Sequence, residues 1–281
     1  MSVRTHRPSL GTALALVVVG IVSVQAGAAF AKGLFDEISP SAMVWLRLVT
    51  STVVLLLVAR PRLTGRSRQD WLTVAGFGIC LATMNLSIYE SFARIPLGVA
   101  VTIEFLGPLA VAVAGSRHLR DVGWVVLAGT GVVLLTQGGH GHLNLAGVLF
   151  AGLAGACWAA YIVLSSTTGR RFPGSAGLAI AMVVSAVIVT PPALVTGGSA
   201  MFRPAVLAAG AAIGILSSVI PYRLELEALR RMPMRLFGVW MSMEPAVAAL
   251  IGLFLLGQHL SLAEWLAICC VMVACAGAAR H

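Results

Sequence analysis

Ten apolar runs, at about 10–31, 41–59, 71–92, 96–114, 122–137, 144–166, 176–196, 204–229, 234–256 and 260–279, take up nearly the whole chain. A helix of about 20 apolar residues matches the hydrocarbon core of a bilayer. Within that core every backbone N–H and C=O must find its partner inside the protein, which for isolated runs of this length means helix. Only 10% of the residues are charged, against about 25% in soluble domains, so too little polar surface exists to face water. The expectation is an all-α polytopic membrane protein of ten transmembrane helices, without a soluble domain.

The net charge of +9 does not point to nucleic acid. All basic residues except Lys32 are Arg, and most lie in short loops between apolar runs. With the N-terminus inside, the inner segments hold Arg4, Arg7, Arg60, Arg62, Arg66, Arg68, Arg117, Arg120, Arg170, Arg171, Arg230, Arg231, Arg235 and Arg280. The outer segments hold Lys32, Arg94 and Arg203, while Arg47 and Arg223 fall inside runs. Positive charge marks the cytoplasmic side, so both termini are expected in the cytoplasm. A rival reading takes Arg4, Arg7 and Ala29-Phe30-Ala31 as a cleaved signal peptide, but losing one span would invert this charge pattern. The five cysteines all lie within apolar runs and are expected as reduced thiols.

The chain also repeats itself. Glu90, Arg94, Pro96, Pro108 and Gly115 recur 137 residues later as Glu227, Arg231, Pro233, Pro245 and Gly252. Five runs per half make the second half inverted relative to the first. Inverted repeats mark secondary transporters, whose sites lie near the bilayer midplane between the halves. The expected units are 1–137 and 144–281, two inverted five-helix repeats.

Charge is costly in hydrocarbon, so intramembrane ionisable residues are read first as functional. Glu104 lies about eight residues into the fourth run, four before Pro108, and Glu244 about ten into the ninth, directly before Pro245. Either carboxylate suits a substrate ammonium or a coupled proton. Arg47 lies at a depth comparable to Glu104, so the two could pair or share a zwitterionic substrate. Glu90 and Arg94, at i and i+4, are expected as an interfacial pair, as are Arg223 and Glu227. Glu225 joins Pro221 and Tyr222 in a polar cluster at a kink. Gln25 and Asn85 read as amides that hold helices together, while Trp158 and Tyr161, far from the interfacial belt, are expected to line a cavity. His140 and His142 read as a solvated loop, not a metal site. No catalytic signature or nucleotide loop is present, and no cofactor is expected.

These residues carry a resemblance. Ser23–Phe35 (SVQAGAAFAKGLF), Ile95–Ala112 (IPLGVAVTIEFLGPLAVA), Gly155–Leu164 (GACWAAYIVL) and Ile220–Gly257 (IPYRLELEALRRMPMRLFGVWMSMEPAVAALIGLFLLG) resemble the drug/metabolite transporter superfamily with EamA-type halves. Within it the chain is similar to the inner-membrane threonine/homoserine exporters. The resemblance implies an exporter of small amino acids that exchanges substrate for protons, with Glu104, Glu244, Tyr222, Glu225, Trp158 and Tyr161 along the pathway. Arg223, Glu227 and Gln258 depart from the family pattern. Export of another metabolite or a drug, a passive channel and an intramembrane enzyme are the alternatives.

Overall fold

The structure, a computed structural model, describes residues 10–114, 120–137 and 143–279. Its regular elements are all helical among these residues. Eight helices are long and apolar enough to cross a membrane: α1 (Gly11–Gly33), α2 (Pro40–Ala59), α3 (Arg68–Phe92), α4 (Leu97–Ala114), α6 (Leu145–Arg171), α7 (Ala176–Phe202), α8 (Pro204–Leu229) and α9 (Met234–Leu256). Two more, α5 (Arg120–Gln137) and α10 (Leu262–Ala278), contain or form shorter apolar stretches. Arg4, Arg7, Gly115, Arg117, His140, His142 and Arg280, and the side chains of Arg120 and Tyr222, lie outside the described residues.

Helix starts follow local chemistry. Ser39 accepts from the Ala42 N–H, with Pro40 preset for the first helical turn of α2. Ser67 with Asp70 and Ser261 with Glu264 form capping boxes at α3 and α10, each satisfying two otherwise orphaned groups. Asn144 caps α6 through the Gly147 N–H. Gln258, which follows α9, accepts instead from the N–H of Leu97 at 2.9 Å, so it caps the start of α4 across the bundle.

Prolines break two helices and distort a third. Pro108 offers no N–H to the carbonyl of Glu104, and α4 divides into Leu97–Glu104 and Leu106–Ala114. Pro245 does the same to Met241, and α9 divides into Met234–Met241 and Glu244–Leu256. Pro221 leaves the carbonyl of Ser217 without its usual donor. There the N–H of Ile220 reaches five residues back to Ile215, and residues Ile215–Val219 form a π turn within α8.

The helices pack as α3 on α6 and α8 on α1, α4 on α6 and α9 on α1, α2 on α7, and α5 on α10. The first segment of α4 crosses the second segment of α9. Glycines permit the tightest crossings: a Cβ on Gly98 would lie 2.6 Å from the backbone of Ala249, and one on Gly107 would strike the Gly155 carbonyl. The outer surface is apolar, with Val195 83% and Phe254 78% exposed, as a lipid-facing wall requires. All five cysteines are reduced.

Candidate functional site

Two interior cavities lie on either side of Trp158, which contributes to both walls. The first, of about 150 Å³, brings together ionisable and amide side chains from five helices. Gln25 from α1, Arg47 from α2, Asn85 from α3, Glu104 from α4 and Glu244 from α9 all line it. The second, of about 320 Å³, is more apolar and takes in Glu225, Ser242 and Cys275.

The broken helices explain how neighbours in sequence serve different cavities. Glu104 ends the first segment of α4 and lines the first cavity, while Phe105 lines the second. In α9, Ser242 lines the second cavity and Glu244 the first. Phe105 meets Trp158 edge to face, with ring centroids 4.9 Å apart. These two rings form a partition between the compartments.

Glu244 is 7% exposed and Gln25 2%. Gln25 Nε2 donates to Glu244 Oε1 at 2.8 Å. This hydrogen bond to a carboxyl replaces part of the hydration that burial removes. Arg47 is held by two hydroxyls: Nε donates to Ser218 Oγ at 3.4 Å and Nη1 to Tyr89 Oη at 3.3 Å. Its guanidinium also lies over the Tyr89 ring, 5.5 Å from the centroid. No ion pair joins Arg47 to Glu104 among the described residues. The cavity thus presents a cation and two carboxyls that are not spent on each other. That distribution complements a small zwitterion.

Other expected residues fall differently. Asn85 lines the cavity but donates to Leu81 of its own helix at 2.8 Å, and among the described residues its amide shows no bond to a neighbouring helix. Tyr161 packs on Phe77 at 5.3 Å between centroids, outside the lining of either cavity. Glu225 is half-buried, in the wall of the second cavity and not the first. Glu90 pairs with Arg94 as expected. The expected pair of Arg223 with Glu227 does not form. Glu227 bonds Arg231 at 2.5 Å and Arg230 at 3.5 Å, because the chain beyond Glu227 keeps turning and brings the i+3 and i+4 cations past it, whereas Arg223 faces outward. Tyr89 and the pair Ser217 and Ser218 were not expected in the site. The signal for the serines was Pro221, four residues after Ser217.

Residues 145–280 match the EamA-like transporter family profile. The threonine/homoserine exporter RhtA of Salmonella typhimurium is 38% identical over 264 residues, covering 93% of this chain and 89% of that protein. The chain belongs to the EamA-like transporter family. RhtA of Escherichia coli K12 is likewise 38% identical over 266 residues, 94% of this chain and 90% of its own. The uncharacterised transporter YwfM of Bacillus subtilis is 27% identical over 80% of this chain and 79% of its own. A crystal structure 19% identical shares the fold at a TM-score of 0.63, covering 94% of this chain and 96% of that one. This EamA-like transporter is therefore a multi-pass inner-membrane protein, and its polar cavity lies within a transporter fold.

Proposed function

We propose that this EamA-like transporter exports small amino acids of the threonine and homoserine kind, exchanging them for protons by alternating access. The observation that carries the reading is the first cavity, where Arg47, Glu104 and Glu244 meet without pairing. An α-carboxylate fits Arg47, and an ammonium fits Glu104 or Glu244. Protonation of one carboxyl weakens its hold on the ammonium and releases the substrate. The names of the RhtA relatives support this substrate class.

The reading includes ten spans as two inverted five-helix repeats, 1–137 and 144–281, with both termini cytoplasmic. Two features support it. The helix breaks at Phe105 and Ser242 stand at the same offset as the repeated prolines. The main packing pairs are also unchanged when each helix is replaced by the one five places along: α3 on α6 becomes α8 on α1, and α2 on α7 maps onto itself, although the packing of α10 on α4 has no comparable α5–α9 counterpart. Twofold pseudosymmetry produces that pattern, and an inverted repeat has such an axis in the membrane plane.

Purified protein in proteoliposomes tests the function. Labelled threonine should move against its gradient when an opposing proton gradient is imposed, and flux should saturate. Threonine movement indifferent to the proton gradient removes the coupling. Absence of transport for threonine, homoserine and their neighbours removes the amino-acid reading.

A further inference from the structure

Many hydroxyls inside this chain's helices share one fate. Thr50, Ser51, Thr83, Thr102, Thr130 and Thr190 each donate to the carbonyl four residues earlier, the usual way a helix absorbs such a group. Five buried hydroxyls have no such partner among the described residues, those of Thr52, Ser91, Thr168, Ser185 and Ser217, and of these residues Ser217 is the one that lines the first cavity. It sits in the π turn that Pro221 creates, is 7% exposed, and its Oγ has no hydrogen-bond partner among the described residues. Gln25, in the same wall, spends its amide N–H on Glu244, while its carbonyl Oε1 is likewise buried and unpartnered. One hydroxyl and one carbonyl, both buried and both bordering the same space, are costly to leave unsatisfied.

The surrounding structure holds them there. α1 runs so close to the π turn that a Cβ on Gly27 would strike Ser217 Oγ. Ser23 Oγ donates to the carbonyl of Leu216 at 2.7 Å, tying the same stretch of α1 to the turn. The next residue, Ser218, accepts from Arg47. The π turn therefore carries one serine on the arginine and one, its hydroxyl unpartnered, in the cavity wall.

We propose that Ser217 and Gln25 form a subsite for a side-chain hydroxyl on the transported amino acid, making this carrier selective for hydroxy amino acids over apolar isosteres. A ligand hydroxyl donates to Gln25 Oε1 and accepts from the Ser217 hydroxyl. A methyl group in the same place leaves both protein groups unsatisfied, and sites of this kind reject analogues that lack the hydroxyl. This rests on the amino-acid reading of the cavity and adds a specificity determinant to it.

The test is threonine counterflow in proteoliposomes of the full chain, with unlabelled threonine, valine and 2-aminobutyrate as competitors. In the wild type, threonine should compete roughly 10-fold or more better than valine, its near-isostere. Ser217→Ala should reduce that preference to within about 2-fold, leaving valine's own competition unchanged, whereas Gln25→Met, which also removes the donor to Glu244, should weaken both competitors, threonine by the larger factor, again bringing the ratio to within about 2-fold. A wild-type ratio near one overturns the proposal, and so do variants that weaken threonine and valine equally, which would place these residues at the ammonium instead. The wild-type ratio and Gln25→Met decide the matter if Ser217→Ala does not reconstitute. Absence of counterflow for any amino acid in the wild type is the distinct result that removes the amino-acid reading itself.

Discussion

Gln25 and Glu244, 219 residues apart, share one hydrogen bond of 2.8 Å inside the bundle. It links α1 to the second segment of α9, directly after the break that Pro245 induces. A glutamine at position 244 can still accept from Gln25 but cannot ionise. Glu244→Gln is therefore expected to fold, to keep threonine counterflow within about threefold, and to lose proton-driven uphill transport by at least about tenfold. Proteoliposome flux with and without a pH gradient reads the difference. Wild-type proton-driven transport in both Glu244→Gln and Glu104→Gln would remove the carboxyls from the coupling step.

Arg47 is positioned by Tyr89 and Ser218. If it holds the substrate carboxylate, Arg47→Gln should raise the half-saturating threonine concentration by roughly tenfold or more, the scale of one lost charge-assisted hydrogen bond. Threonine amide, which lacks the carboxylate, should compete equally well in variant and wild type. Equal weakening of both ligands would assign Arg47 to the scaffold.

Close helix contact makes a sharp pair of controls. A Cβ on Gly107 meets the Gly155 carbonyl, whereas one on Gly152 of the same α6 surface region meets nothing within 4 Å. Backbone cannot retreat as a side chain tip can, so Gly107→Ala should cost about 1–3 kcal/mol. Gly152→Ala should be neutral or stabilise by up to about 1 kcal/mol. Thermal unfolding in detergent, followed by size-exclusion, measures both.

Glu227 is 38% exposed on its side chain and pairs with Arg231 and Arg230. Solvent screening leaves such pairs worth little. Glu227→Gln should leave both the unfolding temperature and transport near wild type. A loss of flux would give this loop-proximal carboxylate a role that its surroundings do not explain.

Much of this was legible in the chain. Pro108 and Pro245 mark the two helix breaks because a missing N–H acts locally, whatever surrounds it. Glu104, Glu244 and Arg47 were visible because charge inside an apolar run is rare and costly. The i, i+4 pair of Glu90 with Arg94 follows from helix geometry alone. The Arg223–Glu227 expectation used the same spacing and failed, since spacing permits both Arg223 and Arg231 and only packing turns one of them outward. Ser217 was missed because serine is unremarkable in an apolar run. Its significance comes from the π turn and from Gly27 opposite.

Local sequence therefore specifies the helices, their breaks and the ionisable groups buried among them, because backbone hydrogen bonding and the cost of burying charge act residue by residue. The folded bundle selects which of those groups meet. Gln25 reaches Glu244, Arg47 settles between Tyr89 and Ser218, and Trp158 separates two cavities, through contacts between segments that are 42 to 219 residues apart. Such contacts depend on the mutual fit of helix surfaces, and no short-range pattern encodes that fit.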